Sequence, residues 1–90
     1  MNNATLKRKL IFALNQDLLR LLKQFKIEQE MLLLNLEDAI KCAFEGEDVP
    51  RQKIANIDYK RSLGHFIDCY CEILQKRKEI KEAQEWEAKD

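Results

Sequence analysis

Glycine and proline are scarce in this 90-residue chain, which holds two of the first and one of the second. A sheet of several strands needs such residues for its turns, so the shortage argues against β structure. Long apolar runs are missing too: none approaches the about 18–20 residues that cross a bilayer. Net charge is absent, because 16 Lys and Arg balance 16 Asp and Glu. That removes the overall pull behind generic, salt-driven nucleic-acid binding. Three cysteines, Cys42, Cys69 and Cys71, are odd in number and lack paired spacing, so they are no disulfide framework. No Gly-rich phosphate loop, nucleophile elbow or EF-hand loop occurs.

What is present points to long helices. Hydrophobic residues make up 46%, enough for a folded chain, and charged residues reach 36%. Near the start, Lys7-Arg8-Lys9 precedes Leu10-Ile11-Phe12-Ala13-Leu14, in the order of a secretory signal. The apolar stretch is shorter than the ~7–15 residues of such signals, and polar Asn15-Gln16-Asp17 replaces a cleavage site. The expectation is a cytoplasmic chain.

We expect one helical domain over residues 1–90, with a helix over 4–45, a loop at 46–49 and a helix over 50–88. Asn2 and Asn3 are suitable N-caps, Gly46 suits a left-handed C-terminal cap, and Pro50 suits a first helical turn. Asn56 and Asp58 could mark a restart after a short turn, and Gly64 weakens the second helix without ending it. Two helices of similar length and a short loop make an all-α, antiparallel hairpin. Charge agrees: residues 28–48 hold seven acidic groups and one basic, while residues 51–61 hold four basic and one acidic.

On a wheel of 100° per residue, the first helix has a main stripe of Leu10, Leu14, Leu18, Leu21, Leu22, Phe25, Leu32, Leu36, Ala39, Ile40 and Ala43. Glu28 and Gln29 interrupt it. The second helix has Tyr59, Leu63, Phe66, Ile67, Tyr70, Ile73 and Leu74. A second apolar seam of Phe12, Leu19, Ile27 and Leu34, with Met31 beside it, lies roughly opposite the main stripe. A helix apolar on two sides must be covered on two sides, and one neighbour covers only one. The simplest answer is a homodimer forming a four-helix bundle. The alternative is a break near residues 24–29 that folds one chain into a three-helix bundle. After Leu74 the tail is highly charged, with Trp86 as its exception, placed to pack on the amino end of the first helix.

The chemistry-bearing residues are few. His65 and Cys69 have the four-residue spacing of helical metal ligands, but Cys71 points elsewhere and Cys42 lies on the other helix. Buried thiols and an exposed imidazole explain them better, so no metal or other cofactor is expected. Acidic groups at Glu28/Glu30, Glu37/Asp38 and Glu45/Glu47/Asp48 read as solvated faces rather than general acid–base pairs.

The string LKRKLIFALNQDLLRLLKQFK resembles the first long helix of the helical chorismate mutases. That resemblance implies a dimeric helical enzyme that clamps a dicarboxylate between Arg and Lys inside its bundle. Arg8 stands at the family's first arginine. Phe25 and Leu36 stand where the next arginine and the lysine belong, and an apolar interior does not hold a dianion. The resemblance reaches leucine periodicity and not the site, so no small-molecule substrate is expected.

The expected function is therefore non-enzymatic: an oligomeric helical module for protein–protein interaction, a small adaptor, accessory protein or regulator. Its expected interface is Phe12, Leu19, Ile27, Met31 and Leu34, covered by a second copy or another helical protein. The alternative is a dimeric nucleic-acid-binding regulator using Lys9, Arg20 and Lys23 in the basic amino-terminal segment.

Overall fold

The computed structural model describes residues 3–46 and 48–86. It contains two helices, α1 (Asn3–Phe44) and α2 (Val49–Glu85), folded against each other as an antiparallel hairpin. The molecule measures 68 × 15 × 14 Å, close to the length of α1 at ~1.5 Å per residue. Helix α1 passes through residues 24–29 unbroken, so the three-helix alternative does not form. Lys, Gln and Phe hold helical geometry there without a Gly or Pro to release it. No restart occurs at Asn56 or Asp58, and Gly64 is helical.

The turn is built from local chemistry. Gly46 has φ 68°, the left-handed conformation that ends a helix without a Cβ penalty. Glu45 N–H still donates to the Lys41 carbonyl at 2.8 Å. Asp48 caps α2, accepting from Arg51 N–H at 3.0 Å, and Pro50 occupies the first turn. Expected boundaries differ by a few residues: α1 includes Asn3, α2 begins at Val49, and its helix ends at Glu85. Asn2, Glu47 and residues 87–90 lie outside the described residues.

The seam between the helices follows a strict heptad. On α1 it runs Lys7, Ile11, Leu14, Leu18, Leu21, Phe25, Glu28, Leu32, Asn35, Ala39 and Cys42, in steps of four and three. On α2 it runs Ala55, Tyr59, Ser62, Phe66, Cys69, Ile73, Lys76, Ile80 and Ala83, in the same steps. A 3.5-residue repeat keeps two helices in contact along their whole length. Pairing is set at matching heights. Lys7 Nζ donates to the Gln84 and Trp86 carbonyls at 2.8 Å, and Lys76 meets Asp17 at 3.7 Å. The Phe25 and Phe66 rings lie 4.7 Å apart, Asn35 bonds to Ser62, and Arg51 bridges to Asp38 at 3.0 Å. That last pair joins the acidic end of α1 to the basic start of α2.

This seam corrects the expected stripes. Leu10, Leu22, Ile40 and Ala43 of α1 are exposed rather than inside, and so are Ile67, Tyr70 and Leu74 of α2. Their places are taken by Lys7, Ile11, Glu28, Asn35 and Cys42, and by Ala55, Ser62, Cys69, Lys76, Ile80 and Ala83. Among the described residues no large side chain is completely buried, and the apolar core consists of Cys42, Ala55, Cys69, Ile73, Ile80 and Ala83.

Candidate association interface

Heptad order sorts the remaining surface simply. A residue that follows a seam residue sits about 100° around the helix from it. In an antiparallel pair, the residues that follow seam positions lie on one side of the hairpin in both helices. The residues that precede them lie on the other side. We term these the trailing face and the leading face.

The trailing face is apolar along both helices. From α1 it takes Phe12, Leu19, Leu22, Leu33 and Ile40, all exposed, with Leu36 half-buried. From α2 it takes Ile67, Tyr70 and Leu74, exposed, with Leu63 half-buried. At matching heights, Leu19 and Leu22 adjoin Tyr70 and Leu74, forming a central apolar field. Phe12 is 66% exposed, which for a ring of that size is costly in water. The charges framing this face are of one sign: Arg8, Lys26, Lys53, Lys60, Arg77 and Lys81, with no acidic residue among the described residues.

The leading face has the opposite character. Asp17, Asp38, Asp58, Asp68, Glu72, Glu79 and Glu82 lie on it, against Arg20, Lys41, Arg51 and Arg61. It carries the interhelix ion pairs Asp38–Arg51 and Asp17–Lys76. Its exposed apolar groups are dispersed among these charges: Leu10 and Trp86, which share a groove with Leu14 and Ala83, Leu6 near the same end, the cluster Ile27, Met31 and Leu34, and Ile54 near the loop. Trp86 thus rests partly on the amino end of α1 and stays 41% exposed.

The expected interface is divided by this geometry. Phe12 and Leu19 lie on the trailing face, whereas Ile27, Met31 and Leu34 lie on the leading face. All five are exposed. Leu22, Leu33, Ile40, Ile67, Tyr70 and Leu74 were not among the expected interface residues. The signal for those on α1 is a second heptad, offset by one residue from the first: Phe12, Leu19, Leu22, Leu33, Leu36 and Ile40.

The other expected residues are scattered. Lys9 and Lys23 lie on the outer crest of α1, while Arg20 lies beside it and pairs with Asp17 at 3.1 Å. His65 is exposed on α2. Cys69 is buried in the seam, its Sγ 3.7 Å from the Leu21 carbonyl that it can donate to, while Cys71 is exposed and Cys42 is buried near the loop. Burial pushes the Cys69 thiol above its ordinary value, helped by Glu72 and Glu28, which disfavours a thiolate nucleophile. Among the described residues, no three His, Cys, Asp or Glu side chains are grouped to hold a metal ion. Arg8 is exposed, Phe25 stacks in the seam and Leu36 is half-buried, so the residues at the chorismate mutase positions do not converge. Among the described residues, no helix is long and apolar enough to cross a membrane. Comparison of the chain with protein-family models, with curated proteins and with solved structures gives no match.

Proposed function

We propose that this chain is a non-enzymatic, cytoplasmic association module that completes its core as a homodimeric four-helix bundle through the trailing face. In that role it serves as a small adaptor or regulator, and its acidic leading face stays free for a further protein. The observation that carries the reading is the alignment of large exposed apolar side chains from both helices on one side of the hairpin.

Magnitudes support it. The hairpin exposes 7016 Å². A compact monomer of 10.7 kDa exposes about 5,500 Å² by the usual mass scaling. Its radius of gyration is 20.2 Å, against about 12 Å for a globular chain of this length. Half-exposed Leu, Ile, Phe and Tyr side chains each leave on the order of 100 Å² open, so the eight exposed ones on the trailing face offer about 800 Å². That is the share one partner contributes to a standard stable interface. It also exceeds the patch an ordinary monomer leaves uncovered.

The test is solution mass by light scattering behind a sizing column, over a range of concentrations. The expected mass is twice 10.7 kDa. Leu22→Glu with Tyr70→Glu should return it to 10.7 kDa with the helix content retained, because both side chains are exposed in the single hairpin. A wild-type mass of 10.7 kDa at every concentration would overturn the reading.

A further inference from the structure

The pattern of charge on the trailing face bears on how two copies meet. Face to face, two hairpins have two twofold arrangements. In one, the axis runs along the bundle: α1 of each copy lies on α2 of its partner, and both loops sit at the same end. In the other, the axis crosses the bundle: like helices lie on like helices, and the loops sit at opposite ends.

The trailing face is not uniform along its length. Its middle is apolar on both helices apart from Lys26 of α1. Toward both ends, α1 stays largely apolar, with Phe12 beside Arg8 at one end and Leu33 and Ile40 at the other. There α2 turns basic, with Arg77 and Lys81 at one end and Lys53 and Lys60 at the other. Heights are fixed by the seam pairs already described, Lys7 with Gln84 near the open end and Asp38 with Arg51 near the loop.

A crossing axis would set Lys81 over the partner's Lys53, Arg77 near the partner's Lys60, and Lys26 near the partner's Lys26. Among the described residues, no anion on this face relieves those contacts. Like charges juxtaposed across an interface are selected against, and their cost grows as water is excluded. An axis along the bundle brings one such pair near the open end, Arg8 and the partner's Lys81, where the crossing axis brings several; it sets Phe12 against the stems of Arg77 and Lys81, and Leu33 and Ile40 against those of Lys60 and Lys53. Long basic side chains cover apolar surface with their methylenes and keep their heads in water, and a guanidinium or ammonium over a Phe ring is attracted to it. The apolar middle meets itself in either case. In both arrangements every neighbouring pair of helices in the bundle is antiparallel, so charge and shape decide between them.

We infer that the occupant of the trailing face is a second copy of this chain, docked about a twofold axis parallel to the helices, with α1 of each copy on α2 of the other and the two loops at one end. This rests on the reading of the trailing face as a dimer interface.

The experiment replaces Phe12, an exposed residue, with the photoreactive p-benzoylphenylalanine in the full chain. After irradiation, the covalent dimer band is isolated and its linked peptides are identified by mass spectrometry. Isolating the dimer band removes links within one chain. The expected adduct joins residue 12 to the segment around 77–84 of the other copy. An adduct to the segment around 36–43 in a chain that still has twice the monomer mass would overturn this arrangement and leave the dimer standing. A monomeric mass with no covalent dimer would overturn both.

Discussion

The open half of the hairpin and its loop half are built from the same heptad, yet they fill it differently. Toward the chain ends the seam holds Ile11, Leu14, Leu18, Leu21 and Phe25 against Phe66, Cys69, Ile73, Ile80 and Ala83, with Lys7 and Lys76 as its polar members. Toward the loop it holds Glu28, Asn35, Ala39 and Cys42 against Ala55 and Ser62, with Leu32 and Tyr59 as its larger apolar groups. Outside, the loop half is no less apolar: Leu33, Leu34, Ile40, Phe44, Val49, Ile54 and Ile57 are all exposed, Phe44 at 87%. Pairing α1 with α2 therefore stabilises the open half and does little for the loop half. Burial of apolar area is the main favourable contribution to folding, and in the loop half most of that area faces out. On the proposed reading, the loop half gains stability when a second copy covers its part of the trailing face.

Ile73 tests the first side of that comparison with the largest expected effect. It is buried in the open half, and truncating it leaves a cavity where few side chains can follow. Ile73→Ala should cost about 2–4 kcal/mol in urea unfolding followed by circular dichroism. Leu33→Ala in the loop half, where the side chain is exposed in the hairpin, should cost under about 0.5 kcal/mol at concentrations where the chain is a monomer. If Leu33→Ala proved as costly as Ile73→Ala under those conditions, the loop half would already be packed and the contrast would fail.

The next effect probes why the loop half is polar inside. Ser62 is buried and bonded to the half-buried Asn35, so each satisfies the other. Ser62→Ala alone removes one partner and should cost about 1 kcal/mol. Asn35→Leu with Ser62→Ala replaces the pair by apolar groups and should be neutral or stabilising. Comparing the two variants by thermal melting checks this. A double variant less stable than the single one would mean that this polar layer supports the hairpin rather than weakening it.

Much of the architecture was legible from the sequence. Two helices, the turn at Gly46, Pro50 in a first turn and the acidic-to-basic pairing across the loop follow from local rules, and local rules read well from one chain. The seam was harder for a geometric reason. A straight helix drifts about 20° per heptad against a 3.5-residue repeat, so over five heptads a wheel drawn at 100° per residue slips by nearly one position. The expected α1 stripe accordingly starts at Leu10 on the leading face, crosses the seam, and ends at Ile40 and Ala43 on the trailing face. The second apolar seam slips in the same manner: the eight-residue step from Leu19 to Ile27 carries it across the outer crest. Polar residues in the seam hid the true register as well, because Lys7, Glu28, Asn35, Ser62 and Lys76 occupy positions that a hydrophobic pattern leaves out. What escaped entirely was the shared face, since alignment of α1 with α2 depends on heights that only the folded hairpin fixes.

The smallest expected effect concerns how the open half is tied by charge. Lys76 sits in its seam, 2.9 Å from Glu79 and 3.7 Å from Asp17. The hydrogen bond that Lys76 donates to Glu79 is the main cause raising its ammonium above the ordinary value, 10.5, against the opposing effect of desolvation, with Asp17 adding to the rise. The bond from Lys76 is the main cause holding Glu79 below the usual 4.5, again against desolvation and with help from Gln75. A carboxyl whose folded value is lowered contributes stability above its unfolded value and loses it as pH falls through the folded one. An ammonium whose folded value is raised contributes stability below its unfolded value and loses it as pH rises through the folded one. The pair therefore contributes in full between these limits and fades at both. Thermal melts of wild type and Glu79→Gln should differ by a small, constant margin at neutral pH, and that margin should vanish as pH falls below 4.5. Salt should narrow it, because these groups are screened by solvent. A margin that persisted unchanged in acid would assign the effect of the substitution to packing of the Glu79 side chain rather than to its charge.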